Sequence, residues 1–161
     1  MRTTKALFLC AAILCTPHAY SNNAIVFVGD GMGITTVFAA RIFEGQQSGG
    51  DGLGNALSFE SFPNTAFVKT YTVDAQIPDS AGTMTAIMTG RKTRSGVLGV
   101  GPKYPRGDCD AVDKDSSATL IEIAEIEGLV SGLITTSRVT DATPAASYAH
   151  SPDRKWETDT K

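Results

Sequence analysis

Three short stretches of this chain put oxygen-bearing or charged side chains where chemistry could be done. Asp30 stands between Gly29 and Gly31, directly after the apolar run Ala24-Ile25-Val26-Phe27-Val28. A carboxylate held there is rigid and open to a ligand, which suits a metal; the same residue serves equally as an ordinary turn aspartate. The dinucleotide-binding pattern is absent, because Ile34 occupies the position of its third glycine. Ser80, in Asp79-Ser80-Ala81-Gly82-Thr83, opens a helical stretch. A serine in that place caps a helix, and the positive end of the helix also stabilises an alkoxide or an attached phosphate. As a nucleophile it needs a metal or a base, and beyond residue 21 the only histidine is His150. No Gly-x-Ser-x-Gly elbow surrounds it.

The third stretch is Thr140-Asp141-Ala142-Thr143-Pro144, followed by His150 and Asp153-Arg154. Asp141 and Thr143 are hard oxygen donors of the kind magnesium takes while keeping part of its water shell. Thr143 also fits as the cap of a helix whose first residue is Pro144, and both roles are compatible. Arg154 can grip a phosphate through two N–H groups or simply lie on the surface. Ser80, His150 and Asp141 together offer a different chemistry, a serine esterase triad, against which the missing elbow argues. Asp108, Asp110, Asp113 and Asp115 invite a calcium reading, but Asp113 occupies the position of the loop glycine, so the cluster reads as a solvated loop.

The elements that must position these residues follow from periodicity and turn chemistry. A buried strand over 24–28 runs into the glycine turn 29–33, and apolar residues at 34, 37, 38, 42 and 43 then predict a helix to Gln47. Residues 48–55 read as a surface loop and 65–73 as a second strand. A helix follows from Ser80 to Met88, closed by Gly90. The stretch 101–116 reads as a long loop, 117–127 as a helix ended by Gly128, 129–135 as a strand, and Thr143 to Ala149 as a short helix. Strands alternating with helices predict an α/β fold, a mainly parallel central sheet with helices on both faces, whose functional loops lie at the carboxyl ends of the strands.

Composition fits that class: of 161 residues 42% are hydrophobic and 19% charged, which leaves no case for disorder or a coiled coil. Residues 1–21 show a basic start (Arg2, Lys5), an apolar run from Ala6 to Cys15, and small residues Ala19 and Ser21 ahead of a cleavage point. This is the pattern of a secretory signal peptide, the run being about half the roughly 20 residues a membrane span needs. It predicts a mature domain over 22–161, secreted or periplasmic. Removing Arg2 and Lys5 takes the net charge from −3 to −5, which speaks against nucleic acid held by phosphate contacts. Cys109 is then the only cysteine, unusual where disulfides form.

Taken together, the segments 24–33, 69–83 and 135–154, in this order, resemble the N-terminal part of the alkaline phosphatase family, and the likeness runs over 24–157. The resemblance implies hydrolysis of phosphate monoesters through a phosphoserine, with two Zn²⁺ and one Mg²⁺. Ser80 would be the nucleophile and a zinc ligand, Asp30 would bridge one zinc and the magnesium, Asp141 and Thr143 would ligate magnesium, and Arg154 would clamp the phosphate. It also implies a homodimer, and a partner for Cys109 outside these residues. Family members are longer, and their remaining zinc ligands, several histidines and aspartates, have no counterpart here. The chain is thus expected to be an N-terminal portion, its sheet incomplete at the C-terminus, with little activity alone. An inactive phosphate-binding module that keeps Arg154 and the helix end is the further alternative.

Overall fold

The structure, a computed structural model, describes residues 23–159; the expected signal peptide and its cleavage point lie outside them. Helix α1 (Ile34–Gln47) follows the glycine turn as the spacing predicts. Helix α2 (Ser80–Thr89) is the centre of the molecule. It starts at Ser80, as the sequence predicts, but the cap differs: Asp79, not Ser80, is the N-cap, its carboxylate accepting from the Gly82 N–H at 3.0 Å. Aspartate is among the strongest caps, and its filling that role leaves Ser80 as the first helical residue with its hydroxyl free of capping duty. Gly90 ends the helix in the left-handed region, φ 70°.

Small residues let the rest of the chain close on α2. Ala81, Met84 and Met88 pack with Leu98 and with Ala142, Ala145 and Ala146 in one buried cluster, flanked by Ile121 and Ala149. These alanines belong to α5 (Ala142–Ala145) and the turn after it. Here too the cap lies earlier than predicted. Asp141 caps α5 by accepting from Ala142 N–H at 2.8 Å, so Thr143 is inside the helix and Pro144 is its third residue rather than its first. Proline is tolerated there because first-turn N–H groups have no partner within the helix.

Helix α3 (Asp110–Asp115) lies inside the stretch expected to be loop; Ala111 and Val112 pack against Val97 and Val100 and give that turn an apolar face the acidic composition conceals. Helix α4 (Leu120–Ile126) starts three residues later than predicted, at a capping box in which Thr119 Oγ1 accepts from Glu122 N–H and Glu122 Oε2 accepts from Thr119 N–H.

The parallel sheet does not form among the described residues, whose β pairing consists of two isolated antiparallel bridges, Leu98 with Ser151 and Val100 with Ser116. The predicted strands form no ladder, and Phe27, Phe67 and Val130 are 89%, 98% and 100% exposed. Apolar segments become stable strands when their faces are covered, and among the described residues most of these apolar side chains stay open to solvent.

Candidate active site

A turn and the first turns of two helices, far apart in sequence, meet at one carboxylate. The turn at Gly29, closed by Met32 N–H to Gly29 C=O at 3.3 Å, presents Asp30. Asp30 Oδ1 accepts from the Ser80 hydroxyl at 3.2 Å and Oδ2 from the Thr143 hydroxyl at 2.5 Å. Ser80 stands at the first residue of α2 and Thr143 at the second of α5, so the packing of those two helices sets their spacing. All three line a cleft of about 520 Å³ whose wall also includes Asp79, Thr83 and Arg154.

Arg154 is fixed from three directions. Its N–H donates to Gly96 C=O at 2.8 Å, Nη1 donates to Asp79 Oδ2 at 3.1 Å, and Nη2 donates to Asp141 Oδ1 at 3.2 Å. A guanidinium carries five N–H donors, so one on each Nη and the Nε–H stay available to a ligand in the cleft. Asp79 is the functional residue that sequence reasoning passed over. One carboxylate caps α2 through Oδ1 and anchors Arg154 and the Gly96 N–H through Oδ2. Its signal in the sequence was its place just before the helix, which reads as a cap and nothing more.

Asp30, Ser80, Thr143 and Arg154 thus come together. Asp141 joins them only through Arg154 and is not part of the cleft wall. His150 does not join them. Its Nδ1 lies 2.8 Å from Gly99 C=O and its Nε2 2.9 Å from Glu122 Oε1, which commits both ring nitrogens elsewhere, and the Ser80-His150-Asp141 triad is not assembled. The Thr119 N–H bond holds the Glu122 carboxyl below its ordinary range, and His150 adds to this against the opposing effect of burial.

Three of the four acidic residues of the cluster are engaged elsewhere: Asp108 accepts from Asp110 N–H, Asp110 pairs with Lys114, and Asp115 pairs with Arg91 at 2.8 Å. Cys109 is exposed and free. Among the described residues no group of three or more His, Cys, Asp or Glu could hold a metal ion. The oxygen donors of Asp30, Thr143 and Asp141 suit magnesium, which completes its shell with water. A zinc pair needs about three protein ligands per metal, and the described residues do not supply them.

The family model for alkaline phosphatase matches residues 21–161. The chain is 46% identical over 142 residues to alkaline phosphatase 4 of Drosophila melanogaster, covering 88% of this chain and 23% of that protein. To the tissue-nonspecific isozyme of alkaline phosphatase from Homo sapiens it is 43% identical over 139 residues, covering 86% and 26%. It therefore spans about a quarter of the length of these curated relatives. Among solved structures it is similar to a cold-active alkaline phosphatase from Shewanella sp., with TM-score 0.64 and 28% identity over 80% of this chain and 29% of that one. A magnesium-bound variant of the enzyme from the Antarctic bacterium TAB5 matches with TM-score 0.55 and 30% identity over 65% and 28%. With the family model covering nearly all of it, the chain belongs to the alkaline phosphatase family.

Proposed function

We propose that this chain carries the nucleophile and the phosphate clamp of a metal-assisted phosphomonoesterase that works through a phosphoserine. The observation that carries the reading is the meeting of Ser80, Asp30 and Thr143 in one cleft with a guanidinium, Arg154, that is fixed yet keeps free donors. Ser80 Oγ forms the new bond to phosphorus as the ester oxygen departs and takes up a proton; water then attacks the phosphoserine, releases inorganic phosphate and restores the hydroxyl. Asp30 orients that hydroxyl, and the positive end of α2 favours negative charge on it. Arg154 donates to non-bridging oxygens as their charge rises. Magnesium would be held by Asp30, Asp141 and Thr143, and Asp30 and Ser80 would each give an oxygen to zinc. A divalent ion bound there supplies the charge that lowers the pKa of the serine hydroxyl and offsets that of the phosphoryl group.

Secretion and homodimer assembly, implied by the resemblance, belong to the same proposal. In the intact, metal-loaded protein, Ser80→Ala is expected to lower kcat for a monoester by at least ~10³-fold, and a chelator to abolish turnover. Activity that survives either change contradicts the reading. Phosphate binding without product release points instead to the inactive binding module.

A further inference from the structure

Two loops outside the cleft are pinned together beside the clamp. Arg106 and Asp153 meet fork to fork, Nε donating to Oδ2 at 2.9 Å and Nη2 to Oδ1 at 2.7 Å. The next residue reinforces the join, Gly107 N–H donating to Pro152 C=O at 2.9 Å. Asp153 is otherwise locked by its own loop: its carboxylate accepts from Lys155 N–H and its carbonyl from the Ser151 hydroxyl, both at 2.9 Å. The residue that follows Asp153 is Arg154.

Arg106 also presses on the opposite side of the clamp. Gly96 has φ +80°, and a Cβ there would strike the Arg106 guanidinium, so that group lies against the Gly96 backbone. Gly96 C=O receives the Arg154 N–H, and Gly96 N–H donates to Asp79 Oδ2, the oxygen that also receives Arg154 Nη1. A single guanidinium therefore touches the residue before Arg154 in sequence and the residue across from it in space. Arg106 takes no part in the cleft wall.

We propose that Arg106 is a positioning residue for Arg154, setting how the clamp stands in the cleft and hence how tightly the phosphoryl oxygens are held. The inference rests on the reading of Arg154 as the phosphate clamp. A group that must meet two oxygens at once is sensitive to small displacements, and its support by a rigid neighbour is where affinity is gained or lost. Lysine could keep the charge at 106 but not the two-point grip on Asp153 or the planar contact with Gly96.

The test is the affinity of the intact, metal-loaded protein for inorganic phosphate, measured by calorimetry and as competitive inhibition, in Arg106→Ala, Arg106→Lys, Arg154→Ala and the Arg106→Ala/Arg154→Ala double variant. Arg154→Ala is expected to weaken phosphate by roughly 30-fold or more. Arg106→Ala is expected to weaken it about three- to tenfold, with KM rising more than kcat falls, and Arg106→Lys to behave like alanine. In the Arg154→Ala background, removing Arg106 is expected to change phosphate affinity by less than about twofold, because it acts through the missing group. An unchanged affinity in both Arg106 variants, or an equal loss with and without Arg154, overturns the inference. If Arg154→Ala itself leaves phosphate affinity intact, the phosphatase reading fails instead. Where Arg106→Ala yields no folded protein, the same comparison is read from Arg106→Lys.

Discussion

Asp79 divides one carboxylate between a helix and a clamp. Oδ1 closes the first turn of α2, and Oδ2 holds Gly96 and Arg154. Asp79→Ala is therefore expected to lose at least the worth of the cap, about 1 kcal/mol, read as a lower urea midpoint; an unchanged midpoint would show that the cap is replaced. Asp153 carries a prediction about pH. The Arg106 hydrogen bond is the chief cause that holds its carboxyl below the usual carboxylate range, against the opposing effect of burial. A carboxyl depressed in the folded state contributes stability that is fully present above its unfolded value, about 3.9, and is lost as pH falls through the lower folded value. Arg106→Ala is then expected to narrow the stability gap between pH 5 and pH 3, measured by urea unfolding at both; a gap equal to that of the parent protein contradicts the ion pair. At this scale the sequence was legible wherever a residue announces its own turn. Asp30 lies between glycines, Ser80 follows an aspartate at a helix start, and Thr143 precedes a proline. The grip of Asp79 on Arg154 spans 75 positions, and no local pattern marks a bond of that reach.

Helices were readable because their boundaries are chemical. Gly90 stops α2 at φ 70° in open space, with no atom near enough to meet an added Cβ. Gly90→Ala is thus expected to destabilise by about 1 kcal/mol through the backbone alone. Gly132→Ala, also in open space but without a positive φ, is expected to stay within about 0.5 kcal/mol. Equal melting temperatures for the two variants would contradict the assigned helix stop. The caps of α2 and α5 were misplaced by one and two residues because Asp79-Ser80 and Asp141-Ala142-Thr143 each offer two good capping side chains. Only the packing of α2 on α5 decides which of the two is turned to Asp30. Helix α3 was hidden by its acidic composition, since the two apolar residues that hold it, Ala111 and Val112, are too few to show a period. An apolar run such as 24–28, or an alternation such as 65–73, reports what a segment could bury rather than what covers it.

Among the described residues, apolar side chains of the three predicted strand segments stay open to solvent, including Ile25, Phe67, Val130 and Ile134. Unpaired backbone edges beside apolar side chains favour association. Residues 22–161 made alone are therefore expected to bind a dye that fluoresces on apolar surface and to associate as concentration rises, followed by light scattering. A monodisperse monomer without dye binding would contradict the exposed segments. Ser80, Thr143 and Arg154 are held by α2, α5 and the loop after it, around the buried alanine and methionine cluster, whereas Asp30 stands in the turn that follows the open segment 24–28. The proposed reaction requires that Ser80 become phosphorylated during turnover. Its most direct test is to quench the intact, metal-loaded protein in acid during reaction with a labelled monoester and map the modified residue by mass spectrometry. Phosphate is expected on Ser80 and none in Ser80→Ala; label on another residue, or turnover that leaves Ser80 unmodified and persists in Ser80→Ala, would contradict the phosphoserine route.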